Sequence, residues 1–433
     1  MAIIRPFAGI RYSTKLGKDI SKLIAPPYDV LDAKGKAALV AKDAHNVVSI
    51  DLPHVPPKQL GPPSAYEAAA KAMNDWLASG VLAKAPRQAV YPYEQTYTHA
   101  GKTYHRRGLI CLVKLTPFGV DVIPHEKTYA GPIEDRLHLM HSTGAQLSPV
   151  FGLFMDPRDE IMKKVFGAVT QPMCEATLDG VRNRMWEIID GELENHLQLD
   201  FRDKKIYIAD GHHRYTTALH YQKQLEEKNG GPLPPDHPAN YCMFVLVNGE
   251  DPGLLILPTH RLVGGLKNWN VHSFLKLIEP DFEITATPFG GELVDELANT
   301  LSGYGKNSIG LYDGATKKVF VIRLKNDGVM KALEPEKSDA WRSLDVAILQ
   351  RAIFDNVIAH HFTDGSEPVR GYTADENEVA PRIDRGEFQV AFILQSTPIR
   401  ALAELGKVGE VMPQKSTYFF PKLATGMVIN PLR

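Results

Sequence analysis

The stretch from Lys205 to Tyr221, KIYIADGHHRYTTALHY, constrains the chain more than any other. Ile206-Tyr207-Ile208-Ala209 is the β-branched and aromatic run of a buried strand. Tyr215, Ala218, Leu219 and Tyr221 then recur at helical spacing. Between them lie Asp210-Gly211-His212-His213-Arg214, five residues with almost no apolar content. A strand that ends in Asp-Gly and opens into a helix aims several backbone N–H groups outward, an anion site before any side chain is added. Arg214 adds a planar fork suited to phosphate or carboxylate, and His212 and His213 exchange protons near neutral pH. The competing reading is a helix cap, with Asp210 accepting from first-turn N–H groups and the histidines merely solvated. Five consecutive polar residues exceed what a cap requires, which favours a functional site.

The 433 residues suggest two or three domains' worth of core. Hydrophobic residues at 44% and charged residues at 23% fit an ordinary globular protein. A net charge of −2 supplies no field for nucleic acid or acidic membrane, so the expected partner is a small-molecule substrate. Cys111, Cys174 and Cys242 are far apart in apolar surroundings, which excludes a Cys-x-x-Cys pair and predicts buried free thiols. MAIIRPFAGIRYS lacks a signal-peptide apolar core, and the longest apolar runs are strand-sized, short of the roughly 20 residues a membrane helix needs. The expectation is a soluble cytoplasmic protein; oligomeric state is left open.

The pattern along the chain predicts a mixed-sheet α+β protein. Val47–Leu52 reads as a strand, 64–79 as a helix stopped by Gly80, and Ala100-Gly101-Lys102 as a hairpin turn. Further strands are expected at 120–123, 147–155, 241–247 and 254–257, and a helix at 133–142 with Glu134, Asp135 and Arg136 in its first turn. A domain boundary is expected near Gly264-Gly265, giving a core domain over 1–264 and an α/β region over 265–433. The latter includes helices at 271–278, 291–301, 344–358 and 375–385.

Three more groups could carry chemistry. Ala25-Pro26-Pro27-Tyr28-Asp29-Val30 is a rigid turn that presents Tyr28 and Asp29 as substrate contacts. In Pro124-His125-Glu126-Lys127-Thr128, Glu126 is a candidate general base or Mg²⁺ ligand, and Lys127, Thr128 and the later Arg136 are candidate phosphate ligands. In Pro413-Gln414-Lys415-Ser416-Thr417, the Lys415 ammonium and the Ser416 and Thr417 hydroxyls suit phosphate oxygens. A zinc site is a weaker reading, because adjacent histidines in extended chain face opposite ways and no H-E-x-x-H occurs. No Walker loop or G-x-G-x-x-G is present either.

With these blocks in hand, the chain resembles the family catalogued as domain of unknown function 1015. The likeness runs through APPYDV, PHEKT, EDRL, LSPVFGL, ADGHHRYTTAL, LPTHRL and MPQKSTYFFPKL in that order. The DGHHR block is also similar to the phosphate-binding box of the ParB/sulfiredoxin-like superfamily, whose free serine kinase branch makes phosphoserine from serine and a nucleotide. That resemblance implies a ParB/sulfiredoxin-like core, ADP or ATP with Mg²⁺ as cofactors, and Glu126 as base with His125 beside it. The residues of the block themselves offer Asp210, His212 and His213 as further catalytic groups. Gly211, Arg214, Lys415, Ser416 and Thr417 would bind phosphate. The expected function is therefore phosphoryl transfer on a small metabolite of the serine/phosphoserine type, as kinase or phosphatase. The alternatives are a nucleotide-binding switch without turnover and a metal-dependent hydrolase.

Overall fold

A computed structural model describes residues 2–290 and 294–433. The chain divides into two compact units, 1–255 with 421–433, and 256–420. The division falls after Leu255 rather than near Gly264, because His260–Gly264 is a paired strand within the second unit's sheet.

In the first unit the elements that matter, in chain order, are β1 (Ile4–Arg5), α1 (Val48–Asp51), α2 (Pro63–Ser79), β2 (Tyr91–His99) and β3 (Lys102–Lys114). They continue with β4 (Val122–Ile123), α3 (Ala130–Thr143), β5 (Val150–Phe154), β6 (Cys174–Leu178) and β7 (Val181–Met185). β8 (Ile206–Asp210), α4 (His212–Asn229) and β9 (Tyr241–Asn248) complete the set. Among the described residues nine strands form one mixed sheet in the order β4-β8-β5-β9-β3-β2-β7-β6, with β1 paired to β3. β8 lies parallel to β4 and antiparallel to β5, and β9 is parallel to β5. The architecture is α+β.

The β2–β3 hairpin turns at Ala100 and Gly101, both with positive φ (46° and 73°), the geometry of a two-residue hairpin loop. Helix α2 begins with Pro63 in its first turn and ends at left-handed Gly80. The expected strand at 47–52 is instead the helical turn α1. Asn46 accepts from the Val48 amide and donates to the Lys22 and Ile24 carbonyls, and these side-chain bonds override the β-branched propensity of the segment. Helix α3 starts at Ala130, earlier than expected, so Glu134, Asp135 and Arg136 lie beyond its first turn and do not act on its dipole.

Helix α4 is fixed to the sheet by Tyr215 and Ala218, which share a buried core with Leu109, Phe154, Ile206, Ile208 and Phe244. Each large apolar side chain in that core contributes about 1.5–3 kcal/mol. The Tyr215 hydroxyl donates to the Thr116 carbonyl at 2.8 Å and accepts from its amide at 3.0 Å, so its polar tip costs nothing in burial. This seat sets where the first turn of α4 points.

The second unit carries, among the described residues, a six-stranded antiparallel sheet. Its order is Phe282–Gly290, Lys318–Leu324, Ser308–Asp313, Val390–Ile393, His260–Gly264 and Val369–Thr373. Helix Val271–Ile278 matches its expected span, and 345–358 is helical with a π-helical stretch over Leu349–Ile358. Of the helix expected at 291–301, residues 291–293 lie outside the described residues and Val294–Thr300 is helical. No described helix is long and apolar enough to cross a membrane. All three cysteines are free, with Cys111 and Cys242 buried and Cys174 half-buried.

Candidate functional site

β8 delivers Asp210 to the start of α4 through Gly211, whose φ of 94° lies in the left-handed region that favours glycine. A Cβ at this position would sit 2.9 Å from Nε of Arg214. Glycine therefore lets the Arg214 guanidinium fold back across the helix start. No side chain caps α4, so Asp210 is not the cap that the competing reading required. Its carboxylate bridges two cations instead: Oδ2 lies 3.3 Å from Arg214 Nη2 and 3.5 Å from Lys422 Nζ. Arg214 Nη1 also donates to the Pro149 carbonyl. Burial alone would raise the Asp210 pKa, but Lys422 and Arg214 hold it well below the usual carboxylate range.

The two histidines, expected as proton-transfer groups, clamp the neighbouring loop. His212 Nε2 accepts from the His125 amide at 3.1 Å, and His213 Nε2 accepts from the Tyr129 amide at 3.2 Å. Both ends of the 125–129 loop are thus pinned to the first turn of α4, with Glu126, Lys127 and Thr128 between the pins. Burial, with His125 alongside, pushes the His212 pKa well below its ordinary value, which keeps the ring neutral and its Nε2 lone pair available. His125 is also buried. Its Nδ1 donates to the Ile208 carbonyl at 2.6 Å, and its ring packs edge-on against His212 with centroids 4.6 Å apart. Burial lowers its pKa although Glu126 opposes the shift, so Glu126 Oε1 faces a neutral imidazole 3.9 Å away. Lys127 is exposed; Glu126 and Thr128 are half-buried.

A third layer comes from α1, α2, α3 and the 25–30 turn. Arg136 is buried. It pairs with Asp135 at 2.7 Å, donates to the Asp51 carbonyl at 2.5 Å and lies over the Tyr28 ring at 4.0 Å. Asp135 accepts in turn from Tyr66 and His54, each at 2.8 Å. Arg136 and Arg214 line one cavity of about 30 Å³ with Asp51, enough for a single water. Arg136, expected as a phosphate ligand, is thus committed to Asp135 and Tyr28. Tyr28 is buried beneath it, and Asp29 stands half-buried 3.7 Å from Lys58 Nζ.

The first unit thus brings together four sequence blocks separated by up to about 180 residues: 25–30, 124–128, 134–137 and 209–219. Lys415, Ser416 and Thr417 belong to the second unit. There Lys415 is exposed with φ 56°, Arg261 holds the Gln414 and Lys415 carbonyls, and the buried Ser416 hydroxyl donates to the Pro413 carbonyl. Ser416 is therefore occupied within its own turn, and Thr417 is half-buried beside it.

The residue that sequence reasoning missed is Lys422. Arg106, fully buried over the Phe151 ring, donates to the Pro421 carbonyl at 2.6 Å, and Gln95 donates to the Lys422 carbonyl at 3.0 Å. These hairpin residues seat the returning chain so that the Lys422 ammonium reaches Asp210. The signal was present in the MPQKSTYFFPKL block, two residues past its aromatic run.

The residues fit a nucleotide phosphate: an uncapped helix start, a left-handed glycine over which the Arg214 guanidinium folds, and two cations beside it. They do not build a protein-held Mg²⁺ site, because Asp210 is engaged by Arg214 and Lys422. Among the described residues no group of three or more His, Cys, Asp or Glu is placed to hold a metal ion. His212 and His213 direct Nε2 to two different amides rather than to one point.

A family model described as "Protein of unknown function (DUF1015)" matches residues 4–347. Among curated proteins nothing matches. Three solved structures give partial superpositions. A conserved hypothetical protein from Pyrococcus furiosus is 16% identical, covering 75% of this chain and 95% of its own at a TM-score of 0.34. A free serine kinase in complex with AMP is 14% identical, with 72% and 86% covered and a TM-score of 0.34. C-terminally truncated SbnI from Staphylococcus aureus is 10% identical, with 75% and 87% covered and a TM-score of 0.33. At such scores, function has to be argued from the residues themselves.

Proposed function

The chain belongs to the DUF1015 family, and from that premise we propose that it catalyses nucleotide-dependent phosphoryl transfer on a small hydroxyl-bearing metabolite of the serine type. One observation carries the reading: the uncapped start of an 18-residue helix, with left-handed Gly211, flanked by Arg214 and Lys422 that share Asp210. Such a start offers N–H groups and partial positive charge to a phosphate, and the two cations add charge-assisted bonds. The ParB-like character of the Asp-Gly-x-x-Arg block supports the same assignment.

The roles follow from position. Backbone N–H groups at Gly211 to His213 and the Arg214 guanidinium hold the phosphates of the nucleotide. Mg²⁺, if it accompanies the nucleotide, would supply counter-charge to those phosphates without a protein-held site. Glu126, on its clamped loop beside neutral His125, takes the proton of the substrate hydroxyl. The hydroxyl oxygen forms a bond to the terminal phosphorus as the bond from phosphorus to the bridging oxygen breaks, and the shortened nucleotide leaves with that electron pair. His212 and His213 act as positioning residues, since each holds one end of the Glu126 loop. Positioning and charge neutralisation supply most of the rate in such a reaction. With water in place of the acceptor hydroxyl, the same groups release phosphate from a phosphomonoester.

The test incubates the purified full chain with serine, ADP or ATP and Mg²⁺, and separately with phosphoserine. Formation of phosphoserine or release of phosphate is expected, falling about 100-fold or more in Glu126→Gln. No product in either direction, or full activity in Glu126→Gln and Arg214→Ala, would overturn the assignment.

A further inference from the structure

The second unit contains a cavity of about 330 Å³ that shares no residue with the site above. That is room for a small metabolite. Its lining includes Asn307, buried in a left-handed conformation (φ 61°), which donates to the Ser343 carbonyl at 2.7 Å and to Asp345 Oδ1 at 2.9 Å. Among the described residues no cation lies within ion-pair distance of Asp345, and the Asn307 amide is its one hydrogen-bond donor. Burial pushes its pKa up to about 6, although Asn307 and the charge of Lys306 act against the shift. A carboxylate held this way costs the fold stability unless a cation reaches it.

The rest of the lining indicates what would carry that cation. Lys306 and Arg400 stand exposed at the cavity and, among the described residues, neither is ion-paired. Glu404, also exposed, and Asp345 are the two acidic residues of the same lining. Leu344 and Pro398 supply apolar wall. One carboxylate without a cation, two exposed cations and two apolar residues in one lining match a molecule with an ammonium, a carboxylate and a hydrocarbon side chain.

We propose that this cavity binds an α-amino acid with an apolar side chain, its ammonium on Asp345, its carboxylate on Arg400 and Lys306, and its side chain against Leu344 and Pro398. The site is independent of the phosphoryl-transfer reading and survives its failure. The experiment titrates the full chain with L-leucine, with isoamylamine (the ammonium alone) and with isocaproate (the carboxylate alone), following amide hydrogen exchange. Leucine is expected to protect residues 343–346 and 399–401, and each half-molecule to bind roughly tenfold or more weakly. Asp345→Asn and Arg400→Gln are each expected to abolish the protection, while Arg214→Ala leaves it intact. Arg400 is exposed, so its loss does not threaten folding. Absence of protection by leucine, equal binding of isocaproate, or unchanged leucine binding in both variants would overturn the proposal.

Discussion

Asp210 and Asp345 are both carboxylates withdrawn from water beside the start of a helix, and their environments drive them in opposite directions. Asp210 has two cations within 3.5 Å, and its pKa falls. Asp345 has an amide donor and a more distant lysine, and its pKa rises to about 6. Desolvation acts on both; what differs is whether a full positive charge answers it. The first arrangement stabilises the protein and pre-places cations for an anionic ligand. The second costs stability and leaves a demand for a cationic one.

The largest test of this contrast is Asp210→Asn, which leaves Arg214 and Lys422 facing each other without a counter-charge. Urea unfolding at neutral pH is expected to show a loss of about 3 kcal/mol. Because the folded pKa is depressed, that contribution is full above the unfolded value of 3.8 and is lost as pH falls below it. The deficit of the variant should therefore shrink in acid.

Asp345→Asn should behave with the opposite sign. A raised folded pKa means the wild type binds more protons than its unfolded chain between 3.8 and about 6, so its stability declines as pH rises through that window. The asparagine variant is expected to be more stable by about 2 kcal/mol near neutral pH and equal to the wild type near pH 4. Destabilisation at neutral pH would break the contrast.

Two glycines of α4 provide a finer test. Gly230, at its end, has φ 72° and open space around it, whereas Gly211 has φ 94° and the Arg214 guanidinium in the way. Alanine at 230 should cost about 1 kcal/mol from backbone strain alone, and alanine at 211 about 1 kcal/mol more. The smallest effect is expected for His213→Ala. It removes the acceptor of the exposed Tyr129 amide, so stability should change by about 0.5 kcal/mol while amide exchange at Tyr129 accelerates.

Periodicity placed α2, the β2–β3 hairpin and β8 within a residue or two, because each is amphipathic or closed by a glycine whose backbone demands it. It failed at 47–52, where Asn46 and not propensity decides the conformation. The residues of the DGHHR block were legible, yet their jobs were not. Nothing local shows that His212 and His213 would spend Nε2 on two amides more than 80 residues upstream. Nor does Lys422 announce that it meets Asp210, since that pair depends on Arg106 and Gln95 holding a distant carbonyl pair. Long-range polar pairing has no period, so it leaves no pattern in the chain.

The most direct measurement is nucleotide binding by calorimetry in the wild type, Arg214→Gln and Arg400→Gln. The account predicts that ADP or ATP binds the wild type and the Arg400 variant alike and binds Arg214→Gln about 10- to 100-fold more weakly. Equal affinity in the wild type and Arg214→Gln, or no binding by the wild type, would contradict it.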